Sequence, residues 1–537
     1  MAFNPSSTIY LCNVPIDNTY QNQIYFSSKT EQQTYFSNRV QKTFSNYLTV
    51  RKTLPDGSLV SSVKVDCNID DLYNCNYMYY QNANHGTRYF YAFITKLIYI
   101  NEGTTEIRFE TDVYQTWRFD VTLKESFVVR EHSVTDNAGD NIVPEKFHFE
   151  DYAFDEVYPK EPFSKFPSKY GYLIGTSDFV AVEGDETEFR GSYQSGIYQG
   201  LYFYYFPDGQ GVSSFIQTAE RVSDCVQFIC CIPSFIIENV EFTEGLEYGI
   251  LHSTTKPAET YISFPVFGEN NIYYDDYNPV NKKLYTSPYC NFIVTNNSGE
   301  TAVYNLEDFV AFGNVAFIMY GDISTNPSIT LVPWVYKGEM ENLNQGISLK
   351  NFPQCSFNAD TFKLWLAKNQ FGTAIDIGTG IAQIIGGIGA VVGTGGIGSA
   401  VGAGVIGSGV ATIANSINGI YEASKQPNSV KSGSPNNNLL TAMGRNTFQA
   451  YIRTIKKEYA KTLDDFFTMY GYATNELKTP NVSSRPYFNY VQTVDCNIVG
   501  AIPDDDMRQL KAMYNNGVTL WKSNATVGDY SVNNSPS

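Results

Sequence analysis

The stretch Thr87-Arg-Tyr-Phe-Tyr-Ala-Phe-Ile-Thr-Lys-Leu-Ile-Tyr-Ile100, with Asn101-Glu-Gly103 and Thr105-Glu-Ile-Arg-Phe-Glu-Thr-Asp-Val113 after it, decides the fold class. Aromatic and β-branched side chains fill the first part, and the last alternates in character with period two, as a half-buried strand does. The Asn-Glu-Gly between them has the composition of a hairpin turn. Ser61 to Cys67, Leu201 to Phe206, Val226 to Ile232 and Thr260 to Phe267 read as further strands, with turns at Pro55-Asp-Gly57 and Pro207-Asp-Gly209. The whole chain agrees, since 41 Tyr and 36 Phe in 537 residues suit pleated, half-buried surfaces. The expectation is a multidomain protein, mainly β with a few short helices, in barrel or sandwich form.

The helices have clear ends. Ser28-Lys-Thr-Glu31 is a capping box opening a short helix towards Val40. Asp360 can cap a helix through Phe362, Trp365 and Leu366. Lys457 to Tyr470 places Tyr459, Leu463, Phe466 and Tyr470 on one face and ends at Gly471. A last helix follows Pro503 and stops near Gly517. Its first turn, Asp504-Asp-Asp506, complements the helix dipole and offers caps, which accounts for the acids without a metal. Asp464-Asp465 and Asp275-Asp276 read as solvated faces or turns.

One segment breaks the pattern. Between Ile377 and Tyr421 forty-five consecutive residues carry no charge, in a chain of formal net charge −18. That length is about what two bilayer crossings need at roughly 20 residues each. Ile377, Ile381, Ile384, Ile385, Ile388, Val391 and Val392 share one helical face, and Ile406, Val410, Ile413, Ile417 and Ile420 repeat the spacing, with Ile397, Val401 and Val405 between. Gly393, Gly395 and Gly396 form a helix-breaking tip. The reading is a glycine-rich hydrophobic hairpin suited to membrane insertion; the plainer alternative is a buried, protein-covered loop. Small residues at G-x-x-x-G spacing, Gly389 to Gly393 and Gly398 to Gly402, let such helices approach closely.

The expected divisions are a β-rich block over 1–158, a second over 159–343, an approach segment and helix over 344–371, the hydrophobic loop over 372–423, and an α+β region over 424–537.

Chemistry finds little support. Gly393-Thr-Gly-Gly-Ile-Gly398 matches the dinucleotide-binding fingerprint, but Gly402-Ala-Gly-Val-Ile-Gly407 matches it again, as dense glycine does by chance, and no strand–helix alternation surrounds either. No G-x-S-x-G, H-E-x-x-H or P-loop occurs, so no catalytic residue, cofactor or metal site is assigned. His85, His132, His148 and His252 are too scattered for zinc. Nine cysteines without C-x-x-C spacing read as free thiols made in a reducing cytoplasm, and nothing resembles a secretory signal. Asp136 and Asp140 lack the alternation of an EF-hand loop. Strong acidity disfavours a nucleic-acid-binding surface, yet it would let DNA slide past without sticking.

Tyr80-Gln-Asn-Ala-Asn-His-Gly86, Phe90-Tyr-Ala-Phe-Ile-Thr95, Asp112-Val-Tyr-Gln-Thr-Trp117 and Glu125-Ser-Phe-Val-Val-Arg-Glu-His132 resemble the distal tail tube, or tail knob, proteins of small short-tailed phages of Gram-positive bacteria. Phe488-Asn-Tyr-Val-Gln-Thr493, Asp495-Cys496, Asn516-Gly-Val-Thr-Leu-Trp521 and Gly528-Asp-Tyr-Ser-Val532 carry the same resemblance. It implies a virion structural protein rather than an enzyme: a homohexameric tube wall built mainly from the two ends of the chain. It also implies contacts with collar, tail-tube and tip proteins, and phage DNA passing through the lumen unbound. The hydrophobic loop corresponds to a lumen plug that is later released into the host cytoplasmic membrane. Rival readings are a pore-forming toxin and a receptor-binding tail protein with a purely structural plug.

Overall fold

The computed structural model describes residues 7–47, 50–53, 59–82, 86–147, 151–156, 170–180, 193–194, 197–198, 200–207, 212, 215, 225–237, 249–251, 258–263, 274, 277–296, 299–312, 314–350, 352, 354–356, 448–522 and 527–536. They fall into two compact units. The first comprises 1–149, 277–284 and 457–537, and the second 150–276 and 285–456.

The first unit holds a seven-stranded antiparallel sheet. Its spatial order is Val40–Tyr47, Ser7–Cys12, Tyr77–Asn82, Tyr89–Asn101, Thr104–Thr111, Leu59–Val65 and Val50–Thr53. The long apolar run lies at the centre of the sheet, and its first half is covered on both sides, while Tyr99 and Ile100 in its second half are exposed. Tyr91 and Phe93 join a core with Phe26, Phe36, Tyr114, Leu510 and Leu520, whereas Ala92 joins one with Leu11, Val63, Met78 and Ile107. Period-two geometry sends neighbours to opposite faces, so a doubly covered strand is apolar throughout.

Four helices occur in this unit among the described residues: α1 (Lys29–Ser37), α2 (Val113–Trp117), α3 (Lys457–Tyr470) and α4 (Asp504–Asn516). Ser28 caps α1 by accepting the Glu31 N–H, and the Glu31 carboxylate reaches back to the Ser27 N–H at 2.8 Å. At α4 the acids sit in the first turn, but Pro503 stands at the cap position and no side chain caps it. Asp506 instead accepts the Trp117 indole N–H at 2.7 Å.

A five-stranded sheet interleaves the two ends of the chain. Its order is Asn22–Tyr25, Val518–Lys522, Phe488–Val494, Ser126–Glu131 and Tyr472–Lys478. The first pair is parallel and the rest antiparallel. Trp521 is fully buried, and fully burying a large apolar side chain contributes roughly 1.5–3 kcal/mol.

The second unit contains three larger sheets. Tyr152–Glu156, Gln449–Ile455, Cys290–Thr295 and Thr301–Tyr304 make one; Gly249–Leu251, Tyr202–Phe206, Tyr170–Thr176, Val226–Pro233 and Gln354–Ser356 make another. The third runs Ala258–Ser263, Ala316–Asp322, Ser328–Tyr336 and Glu339–Glu341, with Ile347–Leu349 also on Ser328–Tyr336. The chain is thus a β-rich protein with few short helices and curled sheets, as its sequence predicts.

Candidate functional site

The residues singled out in the hydrophobic run, Ile377 to Ile420 with the Gly393, Gly395 and Gly396 tip, lie outside the described residues, as does the helix expected after Asp360. The described strands flanking the run are secured. Gln354–Ser356 pairs with Val226–Pro233, and Gln449–Ile455 lies between Tyr152–Glu156 and Cys290–Thr295. Among the described residues no helix is long and apolar enough to cross a membrane, and no cluster of His, Cys, Asp and Glu could hold a metal.

Among the described residues a dense set of polar contacts lies where the 126–147 and 464–490 segments meet in the first unit, and it serves to fix backbone. Helix α3 buries Ala460, Leu463, Asp464 and Phe467, while Tyr459 stays exposed. This corrects two expectations: the packed face is rotated from the predicted one, and Asp464 is no solvated acid. Its carboxylate accepts the Tyr277 hydroxyl at 2.6 Å, the Val280 N–H at 2.8 Å and the Asn281 N–H at 2.9 Å. The spacing 460, 463, 464, 467 was the available signal, since i, i+3, i+4, i+7 is one helical stripe.

Glu145 does the same nearby. Buried to 3% exposure, it pairs with Arg130, with Lys283 at 2.9 Å, and with the Ala473 N–H at 2.8 Å. Lys283 is itself 2% exposed, and burial lowers its basicity although Glu145 opposes this. A charge so deep is tolerable only when paired and hydrogen-bonded. Nothing in the local sequence marks Glu145, because its partners lie far along the chain.

His132 is equally occupied. Its Nδ1 accepts the Tyr490 N–H at 2.7 Å, so the ring proton sits on Nε2 and faces the Thr468 carbonyl at 3.1 Å. Burial, reinforced by the Arg485 charge, pushes its pKa down to about 3. Arg485 donates from Nε to the Ser133 carbonyl and from Nη1 to the Asn534 carbonyl, both at 3.1 Å. Asp136 accepts the Tyr472 hydroxyl at 2.7 Å, and Asp140 the Thr135 hydroxyl at 3.0 Å. His132, Asp136 and Arg485 thereby hold the 126–147 segment against 464–490, while the Asp140 contact is local.

A further buried carboxylate is bonded within the amino-terminal core. Asp112 caps α2 through the Gln115 N–H at 3.0 Å and accepts the Tyr77 hydroxyl at 2.9 Å. Burial raises its pKa to about 7. The strings that carried the family resemblance converge here: Ser126–Glu131, Phe488–Val494 and Val518–Lys522 are strands of one sheet, and Asp112 to Trp117 packs above the same core.

Comparison with known proteins agrees with this construction. Residues 259–535 match the family described as Bacillus phage phi29, tail knob protein gp9, C-terminal domain, and residues 5–122 match the caudoviral major tail protein N-terminus. The chain is 27% identical to tail knob protein gp9 of Bacillus phage B103, over 97% of each chain. It is 26% identical to tail knob protein gp9 of Bacillus phage phi29, over 98% of this chain and 97% of that one. In fold it is similar to the bacteriophage C1 tail knob protein gp12, with a TM-score of 0.59 at 16% identity over 96% of both chains. This match over more than half the sequence places the chain in the tail knob protein family of phage phi29 gp9, as a structural component of a phage tail.

Proposed function

We propose that the chain assembles as a homohexameric distal tail tube through which the genome is ejected. In this reading the hydrophobic segment plugs the lumen and is then released into the host cytoplasmic membrane. The observation that carries it is the uncharged run Ile377–Tyr421 inside a tail knob protein of net charge −18. Such a segment needs shelter from water, and a closed ring of copies would supply it until release. Stored apolar surface freed by a trigger is a two-state device. The acidic balance suits a lumen that DNA traverses without adhering. Neighbouring tail proteins are the expected partners at the ends of the tube, and the relatives' naming as structural proteins supports a role without catalysis.

Native mass spectrometry and electron microscopy test the ring: six-fold hollow particles support it, and only monomer at micromolar concentration overturns it. Phage carrying a deletion of Ile377 to Tyr421 tests the segment. Particles that assemble and adsorb but deliver no DNA support the membrane role, whereas normal infectivity removes it.

A further inference from the structure

Lys42, Cys67 and Asp71 form a compact triangle on the first unit. The Lys42 Nζ lies 3.5 Å from the Cys67 Sγ and 2.9 Å from the Asp71 Oδ2, and the same Asp71 oxygen lies 3.9 Å from the Cys67 Sγ. Lys42 belongs to Val40–Tyr47, the outermost strand at one end of the seven-stranded sheet, opposite Leu11. Cys67 follows Leu59–Val65, next to last at the other end, and its carbonyl accepts the Thr105 hydroxyl at 2.8 Å. The Tyr47 hydroxyl accepts the Asp66 N–H at 3.3 Å, so the sheet curls until its two ends meet at this point.

The site is reachable and chemically complete. The Lys42 side chain is 33% exposed, and Cys67 is partly exposed whereas Cys12, Cys75, Cys225, Cys230, Cys290 and Cys496 are buried. A thiol held against an amine, beside a carboxylate able to take up a proton, is placed for oxidative coupling.

We infer that Lys42 and Cys67 are an oxidation-sensitive pair that becomes covalently joined through one oxygen atom, as Lys–NH–O–S–Cys, once the protein leaves the reducing cytoplasm. The step balances with dioxygen as oxidant: Lys–NH₂ + HS–Cys + O₂ gives Lys–NH–O–S–Cys + H₂O. Nitrogen and sulfur are oxidised, one oxygen atom enters the bridge, and the other leaves as water with one N–H and the S–H hydrogen. Asp71 holds the amine and relays its proton. The link staples the two ends of the curled sheet, and a cross-link between residues distant in sequence restricts the unfolded chain.

The full chain is purified under reducing conditions, held in air-saturated buffer, and weighed intact. A gain of one oxygen with loss of two hydrogens, a proteolytic fragment joining the Lys42 and Cys67 peptides, and reversal by dithiothreitol support the inference. Lys42→Arg keeps the ion pair but should gain no such link, and Cys67→Ser likewise. The oxidised native chain should also unfold at a higher temperature than the reduced one, with no such shift in either variant. An unchanged mass, a sulfinic acid on Cys67 without linkage, or a Cys67–Cys75 disulfide in its place overturns it.

Discussion

The Asp464 carboxylate lies 2.7 Å from the side-chain amide nitrogen of Asn281, although 183 residues separate them in sequence. The contact belongs to a set in which one buried acid also receives three further donors of the 277–281 segment: the Tyr277 hydroxyl and the Val280 and Asn281 backbone N–H groups. A segment that leaves one unit and returns to it needs such an anchor, because its own sequence is too short to form a core.

Asp464→Asn should therefore destabilise the first unit by about 2–4 kcal/mol. The amide turns an NH₂ towards donors that need an acceptor, leaving buried groups unsatisfied. Asp465→Asn, one residue away and exposed, should change stability by less than about 0.5 kcal/mol. Urea unfolding of the two variants checks the difference, and equal midpoints would remove Asp464 from the role assigned to it.

Gly471 ends α3 at φ +65, and a Cβ there would meet the Glu131 carbonyl oxygen at 2.2 Å. Gly471→Ala should cost well beyond the roughly 1–2 kcal/mol of the left-handed backbone alone, because the obstructing atom is backbone in a neighbouring strand. A thermal midpoint within a degree of the native protein's would show that the strand yields.

Much of this fold is legible in sequence and some is not, for identifiable reasons. The Tyr89–Asn101 and Thr104–Thr111 hairpin and the bounds of α3 follow from local pattern, since periodicity and end signals act within a few residues. The parallel pairing of Asn22–Tyr25 with Val518–Lys522 does not. Nothing in either strand names its partner, and only the long resemblance joins the chain ends. Asp464 escapes a local reading because an acid in a helix is usually solvated, although its i+4 relation to Ala460 puts it on an apolar stripe. Glu145, Arg485 and Asn281 carried no local signal at all. The hydrophobic run stands apart, conspicuous in sequence through the absence of charge alone.

Acid should act through two buried groups of opposite sign. His132 has its folded pKa depressed to about 3 from 6.5. Its contribution is therefore whole above pH 6.5 and is lost as pH falls towards 3, where the unfolded chain takes up a proton the folded one refuses. Asp112 has its folded pKa raised to about 7 from 3.8. Its contribution is whole below pH 3.8 and is lost as pH rises through 7. Between pH 6.5 and 4, His132→Gln should flatten the fall in urea midpoint on acidification, and Asp112→Asn should steepen it. Parallel curves for all three proteins would contradict both assignments.

The last prediction concerns the uncharged run, and separates a membrane-active segment from a passive plug. A peptide spanning Ile377 to Tyr421 should release dye from liposomes, because its two apolar stripes can be buried in lipid while small residues let the helices meet. Ile388→Asp or Ile413→Asp places a charge in the middle of one stripe, where insertion scales assign a cost of roughly 2.5–3.5 kcal/mol. That corresponds to a fall of about two orders of magnitude in the inserted population, so leakage should drop sharply for either variant. Phage bearing the same substitutions should adsorb normally and lose DNA delivery in the same order. A passive plug gives the reverse pattern: a native peptide that leaves liposomes intact, and substituted particles that infect as before provided the tube still closes.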